Sequence, residues 1–139
     1  MACLADPASA DLRFVAVGNP NTGKTTLVNA LSGSCLRIGN WPGTTVERVE
    51  TCFAVGDRQA CLVDLPGAYS LAAGTAEERL TRDELLAARP DAVVDVVDAS
   101  NLERNLYLTL ELAELGYPLV VALNLLDEAQ ARGLDLRVE

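Results

Sequence analysis

The chain has 139 residues, 50% of them hydrophobic, which suffices for one globular core and not for two. Its formal net charge of −9, from 11 basic and 20 acidic residues, argues against wrapping a nucleic-acid backbone or adhering to anionic lipid, since each phosphate contact requires a cation. Residues 1–11 carry Pro7 and small side chains but no long apolar run, so they read as a flexible segment rather than a secretory signal or membrane span, and the expected compartment is the cytosol.

Residues 12–139 read as one α/β domain. Leu12 to Val17 is a short apolar run of strand type, and Thr25 to Leu31 places Leu27, Val28 and Leu31 at helical spacing. Between them Gly18, Asn19, Pro20, Asn21, Thr22, Gly23, Lys24 and Thr25 spell a phosphate-binding loop, followed by Thr26. Lys24 is the only lysine, the other ten basic residues being arginine. A slim point charge is thus kept where an ammonium must reach between the β- and γ-phosphates of a nucleotide. Strand, loop and helix in this order aim the amides of Asn21 to Thr25 and the helix N-terminus into one concavity. Thr25 offers a hydroxyl to phosphate-bound Mg²⁺. The loop alone leaves ATP and GTP open.

Residues 32–45 form a polar loop too long for an ordinary connection, and Trp41, the only tryptophan, reads as an apolar staple holding it to the body. Val49, Thr51, Phe53 and Val55 alternate with polar or small neighbours, Gly56-Asp57-Arg58 turns the chain, and Gln59 to Val63 returns it as an antiparallel hairpin. Ala76 to Arg89 is a helix stopped by Pro90, and Asp91 to Val97 is a valine-rich strand of the kind buried on both faces. Asp95 in its middle has no assigned role and needs a neighbouring loop to satisfy it. Asn101 to Leu115 is a helix ended by Gly116 and Pro118, and Leu119 to Leu123 is the last strand. The order predicts a doubly wound, mostly parallel sheet with ligands beyond the carboxyl ends of its strands.

Two further motifs fall at such ends. In Asp64-Leu65-Pro66-Gly67, Asp64 can hold Mg²⁺ through water and the Gly67 amide can meet a γ-phosphate oxygen. In Asn124-Leu125-Leu126-Asp127, the Asp127 carboxylate can accept from guanine N1–H and its 2-amino group, a pair of donors adenine lacks. Asn124 can bind the purine edge or brace the phosphate loop. The three motifs together favour guanine. Of the cysteines, Cys3, Cys35, Cys52 and Cys61, none forms a Cys-x-x-Cys pair and no histidine is present, so buried or incidental thiols are expected. Cys52 and Cys61 can face each other across the hairpin, and a cytosolic compartment would keep them reduced.

The three motifs resemble a P-loop NTPase with a Ras-like fold, of the translation-factor-related GTPase class. Gly39-Asn40-Trp41-Pro42-Gly43-Thr44-Thr45-Val46-Glu47, residues 64–71 and residues 101–108 resemble, more narrowly, the cytoplasmic G domain of the ferrous iron transport protein B family. The resemblance implies a slow GTPase in which Gly43, Thr44 and Thr45 belong to the first switch, with Thr45 joining Thr25 and Asp64 around Mg²⁺. It implies that Asn21 holds K⁺ beside the phosphates, and that Lys24, Asn21, Thr45 and Gly67 carry catalysis. Ala68 stands where Ras-like enzymes place a water-orienting glutamine. The implied partners are GTP and GDP, a downstream helical regulatory domain, a membrane permease domain and a second copy of the chain, with no nucleic acid. Leu125 departs from the lysine common in base-recognition motifs. Residues 12–139 would lack the final strand and helix of the G domain, leaving Leu119 to Leu123 as an unpaired edge. A GTPase acting in ribosome or RNA maturation and a binding-only switch are the alternatives.

Overall fold

The structure, a computed structural model, describes residues 7–32, 35–72 and 74–138. Six strands make one sheet: β1 (Leu12–Gly18), β2 (Leu36–Asn40), β3 (Glu47–Val55), β4 (Arg58–Asp64), β5 (Ala92–Asp98) and β6 (Leu119–Asn124), in the order β2-β3-β4-β1-β5-β6. β1, β4, β5 and β6 run parallel, while β3 is antiparallel to both β2 and β4. This is the expected mostly parallel sheet with its antiparallel hairpin.

The helices α1 (Lys24–Ser32), α2 (Ala76–Ala88), α3 (Leu102–Glu114) and α4 (Leu126–Ala131) follow the strands. Because successive side chains of a strand face opposite ways, Ala16 of β1 packs with Val28 of α1, whereas Val15 and Val17 pack with Leu85 of α2 and Leu108 and Leu112 of α3. Val93, Val96 and Val97 of β5 are fully buried, as their valine-rich run requires. Thr75 caps α2 by accepting from the Glu78 amide, and Arg89 leaves the helix in the left-handed region ahead of Pro90.

Three expectations change. The segment read as a loop over residues 32–45 contains β2, an edge strand hydrogen-bonded to β3 and solvent-exposed along its whole length. A short helix, α4, starts within the Asn124 to Asp127 motif. Asp95 is met not by a loop but by α3, whose Thr109 hydroxyl donates to its carboxylate. At the other edge β6 exposes Val120 and Val121, the bare edge anticipated for that strand. Pro7–Ser9 forms a 3-10 turn, and Asp11 and Gln59 exchange two hydrogen bonds at the foot of β1; the reading of residues 1–6 and of Cys3 lies outside the described residues.

Candidate nucleotide site

β1 delivers the chain to the top of the sheet and α1 carries it away, so residues 19–25 wrap a cavity of about 360 Å³ whose far wall is Gly67. The wrap depends on left-handed backbone at Asn21 (φ 65°) and Gly23 (φ 82°). The space beside Gly23 is occupied as well. A Cβ there would lie 2.3 Å from the Asn124 side-chain nitrogen, which donates to the Thr22 carbonyl at 2.9 Å. Of the two roles open to Asn124, bracing the phosphate loop is the one the structure contains.

Lys24 and Asp64 meet at the floor of the cavity. The ammonium donates to the Asp64 carboxylate and, at 2.8 Å, to the Leu65 carbonyl, and both side chains are buried. Burial pushes the Asp64 carboxyl above its ordinary range, the Lys24 charge and hydrogen bond pull it back, and Glu47 pushes it up again. Thr25 and Asn21 are exposed on the cavity wall, so the Thr25 hydroxyl and the buried Asp64 carboxylate are hard oxygen donors of the kind a phosphate-bound dication takes, and the Asn21 carboxamide is a neutral donor suited to a monovalent cation.

Residues 64–71 are strapped into place by contacts the sequence did not single out. The Leu65 amide donates to Ala16 and the Ala68 amide to Gly18, both at 3.0 Å. Thr81 of α2 donates to the Pro66 carbonyl, Glu78 accepts from the Ser70 amide, and Glu111 of α3 accepts from Ser70 and Leu71. Gly67 presses against Pro20 so closely that a Cβ would sit 3.1–3.2 Å from three Pro20 atoms. The only sequence signal for this strapping is the Asp-x-Pro-Gly turn itself.

The residues expected to form the first switch lie elsewhere. Gly43, Thr44 and Thr45 are exposed and line a separate open cleft against Ala76, Glu77 and Leu80 of α2. Their loop is closed on itself: the Trp41 amide donates to Val46, and the Thr44 amide and hydroxyl to the Trp41 carbonyl. Trp41 is buried among Val15, Val17 and Leu65, as a staple should be, with the Arg48 guanidinium 5.1 Å from its ring centre. Asp127 stands exposed in the first turn of α4, after Leu125 in left-handed backbone, and is not among the residues lining the phosphate-loop cavity.

The cysteine reading is corrected. Cys52 and Cys61 sit directly opposite each other on β3 and β4, with Cα atoms 4.1 Å apart, and are joined by a disulfide; among the described residues no cysteine is free. Cross-strand partners this close are within bridging reach, and the hairpin register alone brings them there.

A mostly parallel sheet with one antiparallel hairpin, a phosphate loop between β1 and α1 and an Asp-x-Pro-Gly turn after β4 define a P-loop protein of the GTPase fold. The chain belongs to the ferrous iron transport protein B family, whose N-terminal family model matches residues 12–139. It is 51% identical to the Fe(2+) transporter FeoB of Escherichia coli K12 over 127 residues, 88% of this chain and 16% of that protein, so it spans about a sixth of the relative's length. The cytosolic domain of Legionella pneumophila FeoB superposes with a TM-score of 0.82 at 46% identity, covering 87% of this chain and 52% of that one. A GDP-bound mutant of S. thermophilus NFeoB gives 0.83 at 44%, covering 91% and 50%. The FeoB G-domain from Methanococcus jannaschii gives 0.77 at 42%, covering 91% and 76%.

Proposed function

We propose that the chain is the cytosolic guanine-nucleotide switch of a ferrous iron transporter, and a slow GTPase. The observation that carries the reading is the cavity enclosed by residues 19–25 and Gly67, with Lys24 at its floor and Asn124 pinning its rim, in a chain whose relatives include a GDP-bound domain. No helix among the described residues is long and apolar enough to cross a membrane, so any permease would belong to other parts of the longer protein. Partners on this reading are GTP and GDP, the helical and permease regions of the transporter, and a second copy of the chain.

The β- and γ-phosphates would lie on the amides of residues 21–25, and Lys24 would leave Asp64 to bridge them. When bound, Mg²⁺ would neutralise charge on the phosphate oxygens, held by Thr25 directly, by Asp64 through water and by Thr45 once its loop closes. Asn21 would hold K⁺ beside the phosphates, where its positive charge would help neutralise theirs. Asp127 would accept from the guanine edge. Water would attack the γ-phosphorus in line as the bond to the β–γ bridging oxygen breaks and GDP leaves, with the Gly67 amide facing a γ-phosphate oxygen. Ala68 offers no side chain to orient that water, and its own amide is engaged with Gly18, so turnover is slow.

That same Ala68 favours one rival, a switch that binds without hydrolysing. Multiple-turnover phosphate release decides between them, measured with Mg²⁺ in K⁺ and in Na⁺ on the protein carried through its complete G domain. Release from GTP but not ATP, faster in K⁺, is expected. No release in either salt leaves a binding module, and equal use of ATP and GTP overturns the guanine assignment.

A further inference from the structure

Outside the nucleotide site, one cluster gathers groups that ligate metals. Glu50 and Cys52, two residues apart on β3, point to the same face, and the β3–β4 register sets Cys61 directly across from Cys52. All three are buried, and one ligating atom from each lies within 4.8 Å of the others. A tetrahedral site with bonds of about 2.0–2.3 Å needs ligand separations of roughly 3.5–3.8 Å, so once the bridge is cut the two sulfurs must part from bonding distance and the Glu50 carboxylate must stand at a similar distance from both, movements that side-chain rotation supplies. Glu50 and Cys61 also line a cavity of about 380 Å³ between the sheet and the end of α2, which gives a cation a way in.

We propose that Glu50, Cys52 and Cys61 form, once the disulfide is reduced, a site for a borderline-soft divalent transition-metal cation of the Zn(II) class. Reduction is a thiol–disulfide exchange with a dithiol. One donor thiolate attacks a sulfur of the pair, the S–S bond breaks, the donor's second thiolate closes its own disulfide, and Cys52 and Cys61 are left as thiols. Cation binding then releases two protons as both become thiolates.

Charge supports the assignment. Two thiolates and one carboxylate meet a dication and the Arg48 guanidinium, which already holds a Glu50 oxygen at 2.7 Å, so the buried site is neutral as a whole. Arg48 also fixes the carboxylate's orientation while leaving its other oxygen for the cation. The spacing of nine residues between the cysteines hid this site from motif reading, because only hairpin register brings them together. An ion here would tie the strand leaving the 41–46 loop to the strand that ends at Asp64.

The test uses Co(II), which reports thiolate ligation through a charge-transfer band and tetrahedral geometry through its visible d–d bands. The protein is reduced with a phosphine until all four thiols titrate, then titrated with Co(II), and Zn(II) is used to displace it. One equivalent with both band sets is expected, absent in the disulfide form and in Cys52→Ser/Cys61→Ser. Glu50→Gln keeps both thiols and should weaken Co(II) by about tenfold or more. Cys35→Ser, also checked by its melting curve, should keep the bands. No thiolate band in the reduced protein, or bands that survive Cys52→Ser/Cys61→Ser, would overturn the site.

Discussion

Asp95→Asn should flatten the pH dependence of stability between about pH 4 and 6. Asp95 lies in the middle of β5, only 1% exposed, between β1 and β6, and its one hydrogen bond comes from Thr109. Burial raises its carboxyl from 3.8 to about 6, the Thr109 hydroxyl pulling the other way. The folded protein therefore holds a proton that the unfolded chain has released over that window. This contribution to stability is complete below pH 4 and disappears as pH rises past 6. A shift of about 2 units corresponds to at most about 3 kcal/mol. The variant's carboxamide oxygen accepts the same Thr109 hydrogen bond and does not titrate. Urea unfolding of both proteins at pH 4, 5, 6 and 7 gives the comparison, and Asp64, also raised, titrates in both and cancels. The wild type should lose about 2–3 kcal/mol more than the variant on going from pH 4 to 7. Parallel profiles would mean that the sheet does not penalise the Asp95 charge, and would refute the argument.

Four further outcomes address the nucleotide site. Lys24→Ala removes charge-assisted hydrogen bonds of about 2–3 kcal/mol to phosphate, so GTP affinity by calorimetry should fall roughly 30- to 160-fold; retained affinity contradicts the loop assignment. Gly23→Ala forces a Cβ onto the Asn124 amide at positive φ, and chemical denaturation should show a loss of about 2–3 kcal/mol from strain and the broken Thr22 bond. Asp127→Asn exchanges an acceptor for a donor and should cut GTP affinity at least ~100-fold while admitting xanthosine triphosphate; unchanged selectivity removes the base-recognition role. Thr45→Ala should slow phosphate release with GDP affinity kept, since Thr45 lines a cleft separate from the cavity proposed to hold a diphosphate, and equal losses in both would end its switch role.

The phosphate loop, the Asp64 turn and the valine-rich core of β5 were legible because each is written locally: glycines where the backbone turns left-handed, a carboxylate at a strand end, an apolar run buried on both faces. β2 was not. Leu36 to Asn40 is exposed on both faces and holds its shape by pairing with the strand that follows it, from Asn40 opposite Glu47 to Leu36 opposite Thr51, so no burial pattern marks it. α4 was missed because its six residues overlap a motif read for chemistry. Thr81, Glu78 and Glu111 strap residues 64–71 from helices that follow them, and single polar residues on a helix carry no sign of what they hold. The Cys52–Cys61 bridge was foreseen in register and misjudged in redox state.

The distribution of these straps decides which part of the site can move. Residues 64–68 are tied to β1 through Ala16 and Gly18, to α2 through Thr81 and to the phosphate loop through the Gly67–Pro20 contact, so Asp64 and Gly67 are held where phosphates would arrive. Lys24 couples to that frame through one ion pair and one carbonyl, both made by its side-chain ammonium, so rotation of the side chain is enough to release it. The loop of Thr45 is different. It is bonded to itself between Trp41 and Val46, and its anchor is the Trp41 ring in the core, so residues 42–45 can swing without opening the sheet or losing apolar burial. On the proposed reading, nucleotide state is therefore written by a rigid wall and read by a stapled flap, whose Thr45 hydroxyl must leave the α2 cleft to reach the metal. The energy for that move has to come from contacts made only with the γ-phosphate present, since a diphosphate bound to the wall alone favours neither position of the flap.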